Sequence, residues 1–126
     1  MDIKRLEHAT ERHKTSYLSC GSVDAQPIIM LHGWPDLSIG WEEQLKFFGA
    51  EGYHAIAPDM RGYGSSSIPE NHSDYCMREI VKDMIELLSS LGHKEAIWVG
   101  HDWGSPVVWN IALHHPEAVK GLVSLC

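Results

Sequence analysis

Residues 97–106 read IWVGHDWGSP, and the reading of this stretch decides the fold. Ile97, Trp98 and Val99 form a short apolar run of the kind a buried strand carries, while Ser105, Pro106 and the apolar residues after them open a helix. Gly100 and Gly104 stand two positions either side of Asp102. A residue on a sharp strand-to-helix turn is held in a strained backbone conformation, and side chains two positions away on each side collide where strand and helix nearly touch. Glycine at both places removes the collisions, so the spacing defines a nucleophile elbow with Asp102 at its tip. A GxDxG string alone occurs by chance in many chains, and its weight comes from the elements around it.

Upstream, Asp74 to Leu91 carries the longest helical pattern, with Met77, Ile80, Val81, Met84, Leu88 and Leu91 on one side and Gly92 as its stop. Before it, Tyr53 to Ala57 is a short apolar strand followed by the turn-rich PDMRGYGSS of residues 58–66. Trp41, Leu45 and Phe48 make the apolar stripe of a helix that Ser38 caps and that stops near Gly49 to Gly52. Pro27 to His32 (PIIMLH) is a continuous apolar run, as expected of a parallel strand buried on both faces, and it ends in HGWPD. Leu6 to His13 and Thr15 to Cys20 alternate like an antiparallel hairpin at a sheet edge. Downstream, Gly104 to His115 is the helix after Asp102, with Pro106 in its first turn, and Val119 to Leu125 is one more strand. Strands alternating with helices give an α/β fold with a mainly parallel sheet and flanking helices.

Composition narrows the function. With 126 residues, 44% hydrophobic and 21% charged, the chain is one soluble globular unit, long enough for a core but short for a catalytic α/β domain. A net charge of −7 without any block of like charges argues against nucleic acid or an anionic membrane as partner. The opening MDIKRLEHATERHK is too polar for a secretory segment, and no apolar run approaches about 18 residues, so a cytoplasmic location is expected. Cys20, Cys76 and Cys126 are isolated and lack CxxC spacing, which reads as reduced thiols rather than a disulfide framework or zinc site. Of nine histidines only His114 and His115 are adjacent, and a helix C-terminus suits them without any metal. The last apolar run reaches Cys126 with nothing beyond to cover it, so the sequence is expected to be part of a longer domain.

HGWPD, PDMRGYGSS and GHDWGS, in that order, resemble the α/β-hydrolase fold and, within it, the epoxide hydrolases, over nearly all of the chain from Leu6 onward. The resemblance implies the first six of eight strands, in sheet order 1-2-4-3-5-6, with residues 1–126 as the N-terminal part of a single domain truncated before its lid. The lid tyrosines, the catalytic histidine and the acid that orients it would lie outside this chain. It also implies Asp102 as nucleophile, the backbone N–H groups of Trp34 and Trp103 as oxyanion hole, and Trp34, Pro35 and Trp103 along the substrate site. For both tryptophans core packing is the alternative. A cis Trp34–Pro35 peptide is implied as well, against the general preference for trans. His32 and His101 read as structural, with His101 pointing away from the site. Asp59 and Arg61 are expected to pair with each other or with neighbouring loops, and Gly62 and Gly64 to serve turn geometry.

A serine in the elbow needs a base before it can attack, but a carboxylate is ionised at neutral pH and attacks unaided. Asp102 therefore suits displacement at saturated carbon, and the expected reaction opens an epoxide to a vicinal diol through an ester on Asp102 that water then hydrolyses. Epoxide and water are the expected partners, with no cofactor, no metal, no nucleic acid and no membrane; oligomeric state is left open. Without the missing histidine the 126-residue chain is expected to be inactive in turnover. Rival readings are a haloalkane or haloacid dehalogenase with the same nucleophile, and a non-catalytic α/β-hydrolase relative acting as an interaction module.

Overall fold

The computed structural model describes residues 2–125. Met1 and Cys126 lie outside the described residues, and with them the thiol expected at 126. Six strands, β1 (Lys4–Ala9), β2 (Lys14–Cys20), β3 (Gln26–Leu31), β4 (Tyr53–Pro58), β5 (Ala96–His101) and β6 (Val119–Leu125), form one sheet in the order β1-β2-β4-β3-β5-β6. The expected hairpin is present: β1 runs antiparallel to β2, which runs antiparallel to β4. All other pairings are parallel.

The apolar runs of the central strands serve two cores, because successive side chains leave opposite faces of a sheet. Ile29, Leu31, Ile56 and Trp98 pack on one face against Val81, Met84, Leu87 and Leu88 of α2 (Met77–Ser90) and Val107, Val108 and Ile111 of α3 (Gly104–His114). Ile28, Met30, Ala55, Ala57 and Val99 pack on the other against Leu45 of α1 (Glu42–Ala50). Trp98 is fully buried, and its indole N–H donates to the Ala118 carbonyl at 2.9 Å.

Handedness explains this division of helices. The β3-to-β4 crossover steps one way along the sheet, whereas the β4-to-β5 and β5-to-β6 crossovers step the other way. Right-handed crossovers then put α1 on the face opposite α2 and α3. The direction changes at β3 and β5, and a crevice opens at the carboxyl ends of the strands at such a point. The register pairs Leu31 with Gly100, so the residues just after each strand emerge side by side there.

Three boundaries differ from expectation, the first being β1, which runs over Lys4–Ala9 rather than Leu6 to His13 because the Thr10 amide turns back to the His13 carbonyl at 2.9 Å. Ser38 does not cap α1: it begins a short 3-10 turn (Ser38–Trp41), its hydroxyl accepts from Arg5 at 3.2 Å, and its amide donates to Asp59 at 2.9 Å. α2 starts at Met77 rather than Asp74 because Cys76 is extended, at φ −69° and ψ 154°, separating the helix from a 3-10 turn over His72–Tyr75. Gly92 ends α2 at φ 81°, as its sequence position predicts. Cys20 is buried and Cys76 exposed, both as free thiols. Among the described residues no helix is long and apolar enough to cross a membrane.

Candidate active site

Asp102 sits at the turn between β5 and α3 with φ 56°, a left-handed conformation uncommon outside glycine. The glycines around it are there for space. A Cβ on Gly100 would lie 2.4 Å from the Gly104 carbonyl oxygen, so strand and helix do touch as the motif predicts. On Gly104 it would strike the Leu31 carbonyl at 2.4 Å, a collision with neighbouring β3 rather than with β5. Gly33 belongs to the same set, although the spacing argument overlooked it: a Cβ there would lie 2.4 Å from the Asp102 Cβ. The loop after β3 is thereby pressed directly against the turn that carries Asp102.

That contact places the Trp34 amide 3.0 Å from Asp102 Oδ2, to which it donates. The Trp34 amide, and after it the Trp103 amide, hold the Asp102 carboxyl below the usual carboxylate range, and His101 adds to this while a little desolvation works against it. The Trp34–Pro35 peptide is cis. Trp34 and Trp103 are 63% and 60% exposed, so neither is a core residue, and Pro35 is exposed beside them.

Trp103 lines a cavity of about 230 Å³ with Tyr63, Tyr75, Met77, Ile80 and Val107; Trp34 and Pro35 are not part of its wall. Tyr63, which sequence reasoning did not single out, packs edge-on to the His32 ring at 4.8 Å and lies 6.3 Å from Trp34. Burial, helped by the Asp102 charge, pushes its phenol up. The signal was its place between Gly62 and Gly64, whose φ values of 88° and 53° turn the loop back toward the site. A larger groove of about 660 Å³ between the outer faces of α2 and α3 shares no lining residue with the elbow.

Asp59 and Arg61 do not pair with each other. Asp59 takes hydrogen bonds from Arg5 at 2.9 Å, the Ser38 amide at 2.9 Å and the Ser65 amide at 3.4 Å. Burial would push its carboxyl up, but these donors outweigh it and hold it below the usual range. Arg61 instead forms a bidentate pair with Asp83 of α2, at 2.8 and 2.9 Å, and donates to the Asp74 carbonyl at 2.8 Å. The loop that carries Tyr63 is thus anchored by two carboxylates on opposite sides. Among the described residues, no three His, Cys, Asp or Glu side chains converge in a way that could hold a metal.

Fold and elbow together define a class. Residues 26–126 match the α/β hydrolase fold family, and the chain belongs to it. Within that class the chain is similar to epoxide hydrolase 2 of Siraitia grosvenorii, at 39% identity over 98% of this chain and 39% of that protein. It is similar also to epoxide hydrolase A of Mycobacterium tuberculosis, at 41% identity over 86% of this chain and 34% of that one. Among solved structures, epoxide hydrolase A from Mycobacterium thermoresistibile superposes with a TM-score of 0.94 at 33% identity, over 98% of this chain and 39% of that chain. The chain therefore spans about two fifths or less of the length of these relatives.

Proposed function

We propose that this chain carries the nucleophile half of an epoxide hydrolase site, with Asp102 as the group that attacks the epoxide. The observation that carries the reading is the Trp34 amide on Asp102 Oδ2 at 3.0 Å, on an elbow residue with φ 56°. Oδ1 attacks a ring carbon, the strained C–O bond breaks, and its electron pair stays on the departing oxygen, which takes a proton from solvent water and remains attached as a hydroxyl. The product of this step is an ester of Asp102. Water then adds to the ester carbonyl carbon and loses a proton to a base, and the negative charge develops on Oδ2, where the Trp34 and Trp103 amides meet it. Collapse releases the diol and restores the carboxylate.

His32 is not the base, because a carbonyl and an amide engage both of its ring nitrogens. The chain on its own is therefore proposed to stop at the ester. Trp34 also bears on the choice between epoxide and halide. A departing halide needs donors around it, whereas an indole offers one N–H and mainly apolar surface, so epoxides fit this loop better.

Incubation with styrene oxide tests the proposal: intact mass should rise by one equivalent, and peptide mapping should place the adduct on Asp102. Modification at Asp36 or Asp59, with Asp102→Ala still reacting, overturns it. Faster reaction with a bromoalkane of similar size would move the chain to the dehalogenases. Epoxide as substrate and water as co-reactant are the only partners this reading requires.

A further inference from the structure

The Trp34 amide and the Gly33 carbonyl are two ends of one peptide group. A planar trans peptide points its N–H and C=O in opposite directions, so whatever fixes the carbonyl also aims the amide. Two donors fix this carbonyl. The Asp36 amide reaches it at 3.0 Å, and His32 Nδ1 reaches it at 3.0 Å. The other ring nitrogen, Nε2, takes the Met60 amide at 3.0 Å. A carbonyl only accepts and an amide only donates, so the ring carries its proton on Nδ1. His32 has no exposed surface, and the Tyr63 ring stands edge-on against it at 4.8 Å. The ring therefore ties the loop after β4, through Met60, to the peptide behind the oxyanion hole.

We infer that His32 is a positioning residue for the site: its Nδ1–H holds the Gly33–Trp34 peptide from behind, so that the Trp34 amide faces Oδ2 of Asp102. The inference depends on the proposed function only for its catalytic consequence, since the aiming belongs to the resting protein. In a working enzyme an aimed donor stabilises the charge that builds on the ester oxygen.

Nitrogen NMR of the wild-type protein tests the tautomer first. A proton on Nδ1 of His32 is expected, and a proton on Nε2 alone overturns the inference. Two variants then separate the roles of the ring. The amide nitrogen of His32→Asn falls near the Nδ1 position and keeps a donor for Gly33, whereas the amide of His32→Gln falls near Nε2 and keeps only the Met60 contact. The Trp34 amide resonance of wild type should follow the ionisation of Asp102. That response should survive in His32→Asn and largely vanish in His32→Gln; an unchanged response in both overturns the inference. If His32→Gln does not fold, the wild-type tautomer still decides. A wild type that never reacts with styrene oxide would sink the functional proposal and leave the NMR outcomes standing.

Discussion

Asp102 accepts the Trp34 amide in the resting protein, and this has a consequence for pH. The donated Trp34 and Trp103 amides favour its charged form, so its titration lies below the ordinary aspartate value of about 3.9. Protonation would remove the charge from Oδ1, and a lowered titration moves that loss further into acid. Alkylation of Asp102 by styrene oxide should therefore be flat from about pH 8 to about pH 5, with an acid limb below the usual aspartate range. Rates measured by intact mass across this range check it, and a limb centred above about pH 5 would show that the two amides do not hold the carboxylate.

Among the elements, α2 carries the least expected feature. Its apolar stripe was plain in the spacing of Met77, Val81, Met84 and Leu88, yet Asp83 is buried within the same helix. Nothing in periodicity distinguishes a buried aspartate from a solvated one; only the long-range partner does. That partner is Arg61, in a loop that sequence reasoning could place but not connect. Arg12, half-buried, also donates to Asp83 and to the half-buried Glu86, while the Arg61–Asp83 pair lies almost wholly inside. Asp83→Ala leaves the Arg61 guanidinium buried without its carboxylate, and such losses cost about 3–5 kcal/mol. Urea unfolding should show this, and a loss below about 1 kcal/mol would mean that the arginine finds water instead. The same limit explains Ser38: its residue type and position suit a cap, but Asp59 and Arg5, distant in sequence, claim it first. At Gly100 the elbow was legible because its constraint is local and steric, although the body that Gly104 avoids is the Leu31 carbonyl of β3. Gly33 was not, because the body it must avoid comes from another strand.

Across the whole molecule, acid sensitivity comes from histidines far from the site. His54 Nδ1 lies 3.0 Å from His93 Nε2, and the Ser19 hydroxyl lies 3.1 Å from the other His54 nitrogen, joining β2, β4 and the turn before β5. Burial pushes His54 down, and the neighbouring His93 pushes it further; burial also lowers His93 and His13, though Asp24 and Asp83 respectively oppose it. A histidine lowered in the fold binds its proton more readily when unfolded. Its stability contribution is thus complete above the unfolded value of about 6.5 and declines as pH falls from there toward the folded value. Urea midpoints should drop between about pH 6.5 and pH 5, and less so in a His54→Gln, His93→Gln double variant. A midpoint that rises as pH falls through this window would contradict the sign.

The contact between Trp34 and Asp102 also sets an order in time. The two residues are 68 positions apart, and they meet only because β5 joins β3 in parallel. Local turns and the β1–β2 hairpin can form early, but closing so long a loop is slow, because its entropy is lost before the strand pairing compensates. The Trp34 amide has no acceptor on Asp102 until that closure is complete. During refolding, pulse-labelled hydrogen exchange should find the Trp34 amide protected after those of the hairpin, and protection of both in one phase would refute the order. The chain then acquires its shape before its chemistry.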